Sequence, residues 1–415
     1  MKKWDRTTIV NVAPSPQFVP DFRYVPFTEE KKHSPYKPYK GHVENCYLDI
    51  SEGSTAKFIS RAALKVGKRP TKILYPRIEI AETVSSVDCP GEFVDTIFNK
   101  FTIGAGTTGA KFQFANFSKG KFSIPKSYKR TKLLIKSFLD RNQDFGPVNV
   151  PYKALIRLMP FRPDSLPGGD SSNYFSKKVD GWSSICEAAS SLWDHVHKSE
   201  NVCVSTYTTG AREKASIDKD YGKEIYSRNV MQQDAVNFFM SKPYTYQIER
   251  SIFNSTRSNI VIGKSTTHFE YDQLLYRSRV HNWALEFDWS LYDSSIIRDK
   301  IVGAFAVARA FFPPSKEIDN MFIYECNHLL DKFVVAPDGN LFKIQRGMPS
   351  GSGWTTIINS IVNCLLMEEI GMFYPGFKNE KTFTYQVAGD DGVMYLDERP
   401  SKKIDIKDLE AWCKK

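Results

Sequence analysis

Near the end of the chain, residues 385–395 read YQVAGDDGVMY. The flanking runs Lys381–Ala388 and Val393–Leu396 are β-prone, and Gly389-Asp390-Asp391-Gly392 between them has turn composition, which predicts a hairpin. Adjacent carboxylates repel each other, and nothing about a hairpin requires them. Such a cluster becomes tolerable when a divalent cation compensates the charge. An earlier strand ending in an aspartate, if it is a neighbour of this hairpin, would bring the carboxylates together at one sheet edge.

Residues 283–312, WALEFDWSLYDSSIIRDKIVGAFAVARAFF, supply such a strand. Apolar residues lead up to Asp288, Asp293 follows five positions later, and an amphipathic helical pattern starts near Ser294. Asp288 is expected to project from the strand end and Asp293 to sit at the helix start, where the dipole favours an anion. An ordinary N-cap is the plainer role for Asp293. Between these two segments, residues 347–371 read GMPSGSGWTTIINSIVNCLLMEEIG. A Gly/Ser-rich loop leads into a helix on which Thr355, Asn359 and Asn363 recur every four residues. Small residues and free N–H groups in the loop would let a ribose or phosphate approach. A glycine-rich turn with the polar stripe facing solvent is the alternative.

In this order and at these spacings, D-x4-D, S-G-x3-T-x3-N and G-D-D resemble the palm motifs A, B and C of viral RNA-dependent RNA polymerases. The stretch GAREKASIDKDYGKEIYSRNV (210–230) resembles, more loosely, their basic motif F. The phrases FDWSLYD, GMPSGS and AREK…SRNV are most similar to the picobirnavirus and partitivirus group, with picorna-like enzymes next. The resemblance implies a right-hand α+β polymerase that binds two Mg2+ ions, with Mn2+ able to substitute. It implies that Asp288 and Asp390 bind both metals and that Asp391 supports them. It also implies that Asp293 and Asn359 hydrogen-bond a ribose 2′-hydroxyl, positioned by Ser350, Gly351 and Thr355. Arg228 would contact the incoming triphosphate, with Arg212 and Lys214 lining its entry.

The expected partners are template and nascent RNA, NTPs and a viral capsid protein, in the virion interior or the host cytoplasm. Reverse transcriptases usually carry a bulky side chain at the Asp293 position and Y-x-D-D in place of A-G-D-D, so both differences favour RNA product. A reverse transcriptase is one alternative, and a catalytically incompetent RNA-binding fragment is another. The implied layout is an N-terminal arm and part of the fingers over 1–130, fingers with motif F over 131–270, palm over 271–312, a return to the fingers over 313–342, and palm again over 343–415. Only 24 residues follow Asp391, so the thumb is expected to be missing or truncated, and Lys414 and Lys415 are default candidates for the motif D general acid.

The rest of the chain sets bounds. Its 415 residues are 41% hydrophobic and 13% aromatic, a globular composition, and 57 Lys and Arg against 47 Asp and Glu leave a charge of +10 that suits a polyanionic partner. Seven cysteines without a C-x-x-C pair argue against a zinc ribbon or disulfide framework and for reduced thiols. No signal peptide or membrane span is read. Residues 1–45, rich in Pro, Tyr and Lys, suggest an extended arm, and 55–66 a short helix. The segment 111–136 carries eight basic residues, no acidic one, and Phe112, Phe114, Phe117, Phe122 and Tyr128. It reads as a nucleic-acid contact or as a half-buried strand pair with a basic face. Residues 161–181 read as a loop and boundary, and 182–197 as a helix whose His195 and His197 are expected on the surface. Two phosphate-loop lookalikes, GAGTTG (104–109) and IGKST (262–266), are discounted, the first for lack of a following helix and the second because Ser258 stands where a glycine belongs.

Overall fold

The computed structural model describes residues 56–61, 72–74, 101–105, 116–117 and 129–142, and 148–413 apart from 201, 203–204, 213, 218–227, 256, 265–269, 337–339, 378–382 and 398–404. The expected N-terminal arm lies outside these residues, as does most of the basic segment 111–128. Three strands come first, β1 (Ala56–Arg61), β2 (Lys72–Leu74) and β3 (Phe101–Ala105). Helices α1 (Lys129–Arg141) and α2 (Trp182–His197) follow, then β4 (Tyr207–Arg212), β5 (Lys214–Ile217) and β6 (Arg228–Gln233). Helices α3 (Ala235–Asn254) and α4 (Glu270–Val280) lead to β7 (Trp283–Phe287) and then to α5 (Arg298–Arg309) and α6 (Lys316–Leu330). The last part runs β8 (Lys332–Val335), β9 (Asn340–Ile344), α7 (Thr355–Phe373), β10 (Phe383–Ala388), β11 (Asp391–Leu396) and α8 (Ile406–Cys413).

Among the described residues these strands form three sheets, ordered β1-β9-β8-β4-β6, β10-β11-β7 and β2-β3-β5. The mixture of helix and sheet is the expected α+β class. The segment between the two halves of the acidic constellation contributes β8 and β9 to the same sheet as β4 and β6, so chain regions far apart in sequence share one layer.

Helix α7 organises the core. Ile357, Ile358, Ile361, Val362, Cys364, Leu365, Met367 and Ile370 are all buried, so the helix is apolar nearly all round, as a helix enclosed by other elements must be. By length and composition alone it could cross a membrane, yet two-thirds of it (67%) is buried inside the fold, which makes it a core helix. It packs against α1, α5 and the β10-β11 hairpin. Helix α1 meets it with Thr131, Leu134, Ile135 and Phe138, the i, i+3, i+4, i+7 stripe that packs one face of a helix. Beneath that contact Glu368, fully buried, accepts hydrogen bonds from Ser137 Oγ (2.6 Å) and Tyr385 OH (2.8 Å) and an ion pair from Arg141 Nε (2.8 Å).

Several sequence expectations change. Of the expected helix over 55–66, the described residues 56–61 are instead strand β1, paired antiparallel with β9 over Ala56–Ile344 to Arg61–Asn340. A short apolar run is ambiguous on its own, and the distant partner decides it. The amphipathic helix expected from Ser294 is broken. One helical turn, Tyr292–Ser295, is followed by extended Ile296 and Ile297 before α5 starts at Arg298. The cause is the loop before α7, since Met348 N donates to Asp293 O (2.7 Å) and Gly347 N to Ile296 O (2.9 Å). Those carbonyls are thus used by the loop.

Within 111–136, the strand-pair reading fails where the structure describes it. Residues 129–136 are helical, not a strand pair, and Phe117 is buried in the core instead of free to stack on a base. His197 is only half-exposed. Its ring stacks on Trp193 (4.3 Å between centroids) and on Tyr244, and Nε2 bonds Tyr244 OH at 2.6 Å. Burial lowers its pKa from the usual histidine range. Of the two lookalike loops, Gly104 and Ala105 lie in β3 between two antiparallel partners, and Lys264 Nζ donates to the carbonyls of Phe253 and Ser255 at the end of α3, while 106–109 and 265–266 lie outside the described residues.

Candidate active site

The hairpin forms where the sequence predicts it, with a tighter turn. Ala388 pairs with Asp391, so only Gly389 and Asp390 lie outside the ladder and Asp391 already belongs to β11. Gly389 has φ +66° while Asp390 keeps a negative φ, the sign pattern of a type II′ turn, in which the first central residue is normally glycine. A Cβ on Gly389 would meet nothing within 4 Å, so the requirement there is conformational.

Strand β11 is central in its sheet, with β10 on one side and β7 on the other. In the β7–β11 pairing Phe287 lies opposite Gly392, and every pair advances in antiparallel register. Asp288, one residue beyond Phe287, therefore leaves the sheet beside Asp391, at the end where the Gly389-Asp390 turn stands. The three aspartates are all exposed. Among the described residues no three His, Cys, Asp or Glu side chains are already drawn together as a metal-holding group. The donor set is nevertheless all carboxylate oxygen, which suits a hard cation such as Mg2+. That ion keeps several waters and takes one or two protein carboxylates along with substrate phosphates. Asp288, Asp390 and Asp391 fit that role.

The polar stripe on α7 faces inward, not toward solvent. Asn359 Nδ2 donates to Asp293 Oδ1 at 2.7 Å, and the backbone carbonyl of Asn359 accepts from Tyr292 OH at 2.8 Å. Burial, with Asp293 and Asp390 nearby, pushes the Tyr292 hydroxyl well above its ordinary pKa, so it stays a neutral donor. Asn359 Oδ1 has no hydrogen-bond partner although it is buried, which leaves an acceptor next to Asp293. One turn further on, Asn363 and Ser360 bond to the hairpin turn.

Ser350, Gly351 and Thr355 fasten the loop. Thr355 Oγ1 donates to Pro349 O (2.6 Å) and accepts from Ser352 N (3.2 Å), and Ser350 Oγ donates to Asn229 O (3.1 Å). Gly351 N donates to Met231 O at 2.9 Å, and a Cβ there would stand 2.5 Å from that same oxygen, so no other residue lets the loop approach β6 so closely. Gln233, at the end of β6, accepts from Ser352 Oγ (3.2 Å) and Gly353 N (3.0 Å). The loop and β6 are thus one unit. Arg228 opens β6 and is the register partner of Arg212 on β4, while Lys214 starts β5. Lys414 and Lys415 lie outside the described residues. Sequence reasoning missed Gln233, Ser360 and Tyr292, none of which stands in a spacing pattern that marks it.

Residues 250–411 match the family described as viral RNA-dependent RNA polymerase. The non-structural polyprotein 1AB of mink astrovirus 1 is 27% identical over 140 residues, which is 31% of this chain and 10% of the polyprotein. That of human astrovirus-1 is 30% identical over 137 residues, 30% of this chain and 8% of the polyprotein, and that of turkey astrovirus 1 is 29% identical over 126 residues, 29% of this chain and 8% of the polyprotein. The matched regions therefore span about a tenth or less of the curated relatives' length. These likenesses support an RNA-directed RNA polymerase.

Proposed function

We propose that this chain carries the catalytic part of a viral RNA-directed RNA polymerase, extending an RNA 3′-OH with NTPs on an RNA template by two-metal nucleotidyl transfer. The observation that carries this reading is the β7-β11-β10 register, which sends Asp288, Asp390 and Asp391 out at one end of one sheet. Asp288 and Asp390 are the residues that would hold both Mg2+ ions, with Asp391 supporting them. When bound, the ions supply activation of a hydroxyl nucleophile and charge stabilisation of a leaving pyrophosphate. The chain's own part is positioning: Asp293 and the free Asn359 Oδ1 form a polar pocket that would reward a 2′-hydroxyl and be left unpaired by a deoxyribose. Arg228, Arg212 and Lys214 are assigned to the triphosphate; Arg228 and Arg212 stand on the paired strands β6 and β4, and β6 is joined to the loop before α7.

Palm over 271–312 and 343–415 and fingers over 131–270 and 313–342 remain the division we propose, supported by β8 and β9 sharing a sheet with β4 and β6. Template and nascent RNA, NTPs and a capsid protein are the proposed partners, in a host-cytoplasmic replication context or within the virion. The sequence phrases support a picobirnavirus- or partitivirus-like enzyme, and the polyprotein likenesses add astroviruses beside that group.

The test is labelled-NTP incorporation on a primed RNA template with Mg2+ or Mn2+, comparing the chain with Asp390→Ala. Extension by the parent and none by the variant supports polymerase and metal cluster together. Equal extension by both overturns the role of Asp390. Preference for dNTPs would favour a reverse transcriptase, and salt-sensitive RNA binding without extension would favour a binding fragment.

A further inference from the structure

Asn363 is fully buried on α7, one turn beyond Asn359, and its side-chain amide sits between the two halves of the acidic constellation. On one side Nδ2 donates to three successive backbone carbonyls of the hairpin turn, Gly389 O (3.1 Å), Asp390 O (3.1 Å) and Asp391 O (3.0 Å). On the other side Oδ1 accepts from the indole Nε1 of Trp289 at 2.9 Å. The orientation of this amide is forced: reversed, its oxygen would face carbonyls and its nitrogen an indole N–H. Trp289 directly follows Asp288, and its ring stacks on Phe287, the last residue of β7 (5.7 Å, 18° between planes). The same turn is held from a second point, since Gly389 N donates to the buried Ser360 Oγ at 2.8 Å.

We propose that Asn363 is a positioning residue for the carboxylates. It measures the turn bearing Asp390 and Asp391 against the strand end bearing Asp288, with the Trp289 indole as its second anchor. Three carbonyl oxygens drawn to one amide fix the backbone of Gly389–Asp391, and with it the directions in which the two aspartates leave the chain. The single acceptor of the amide ties the residue after Asp288 to that frame. Backbone ladder bonds between β7 and β11 stop at Phe287 and Gly392, so beyond them this side-chain bridge joins the two carboxylate-bearing segments. The role in catalysis rests on the polymerase reading above, whereas the bridge itself does not.

Two measurements on Asn363→Ala and Trp289→Phe decide the matter. The first is amide hydrogen exchange of the full chain. Faster exchange, by about tenfold or more, confined to residues 388–392 is expected in Asn363→Ala, with a smaller change in the same segment for Trp289→Phe. Unchanged exchange there in both variants overturns the bridge. The second is NTP incorporation against Mg2+ concentration. The expected result is a several-fold rise in half-saturating Mg2+ and a fall of about tenfold in kcat, with the KM for NTP and RNA binding within about twofold of the parent. The double variant should lose no more than Asn363→Ala alone, because the indole acts through the amide. Faster exchange with unchanged metal demand, or fully additive losses, would reduce Asn363 to a packing role. An inactive parent would overturn the polymerase reading, and the exchange measurement would still judge the bridge. Trp289→Phe, which deletes one N–H and keeps a ring, carries the test if Asn363→Ala does not fold.

Discussion

Asp293 and Asn359 show what one pair of side chains adds to a cluster of charges. The 2.7 Å bond from Asn359 Nδ2 uses one Asp293 oxygen and turns the amide so that Oδ1 is left as a buried acceptor. A hydrogen bond to a charged group is worth about 1.5–3 kcal/mol. Asp293→Ala is therefore expected to cut the NTP-over-dNTP ratio of kcat/KM by about ten- to a hundredfold, with the NTP rate itself falling less. Parallel incorporation assays with the two nucleotide types check this, and an unchanged ratio would remove Asp293 from the pocket. Both residues were legible in the sequence from their spacing. Their shared pocket was implied by the resemblance, but the direct bond between them was not, because 66 positions separate them and only the fold brings the turn after β7 against α7.

Elements, more than residues, were where reading the sequence met its limit. The hairpin and α7 announce themselves by alternation, turn residues and an apolar run, and both stand where expected. Residues 56–61 were misread because a six-residue strand carries too little period to separate it from a helix, and its pairing with β9 is encoded elsewhere. The joining of the loop before α7 to β6 was invisible for a similar reason: Gln233 is an unremarkable polar residue 119 positions from Ser352. That junction has a direct check. Gly351→Ala places a methyl 2.5 Å from Met231 O, an overlap that backbone must relieve. A loss of about 1–3 kcal/mol in unfolding free energy is expected by denaturant titration, with a larger drop in incorporation activity than in stability. Gly389→Ala meets no atom and serves as the contrasting variant, its cost limited to about 1–2 kcal/mol of backbone strain.

Across the whole molecule, stability is tied to pH through a buried polar layer that the site does not use. Glu325 on α6 is completely buried and accepts from Asn237 Nδ2 (2.9 Å), whose oxygen accepts from Tyr324 OH (2.7 Å). Burial pushes its carboxyl from 4.5 up to about 8, while His328, one turn along and bonded to the same asparagine, is pushed down to about 4. A raised folded pKa means that Glu325 holds its proton more tightly in the fold. Its contribution to stability is then complete below about pH 4.5 and is lost as pH rises to about 8. Glu325→Gln stays neutral throughout. Its Tm should gain on the parent between pH 5 and 8, by about 4 °C or more at the upper end, and a constant difference would show that burial does not hold the proton.

The β7–β11 pairing has one more consequence, in time instead of space. Asp288 and Asp390 are contributed by segments about a hundred residues apart, so closing that contact is a long-range step, slow compared with forming helices. While the chain is being synthesised, β7 emerges long before its partner. The intervening helices α5, α6 and α7 can fold in the interval, but nascent chains that have not yet exposed β11 have no carboxylate cluster. Assembly of the carboxylate cluster thus waits for β11 to emerge and pair with β7.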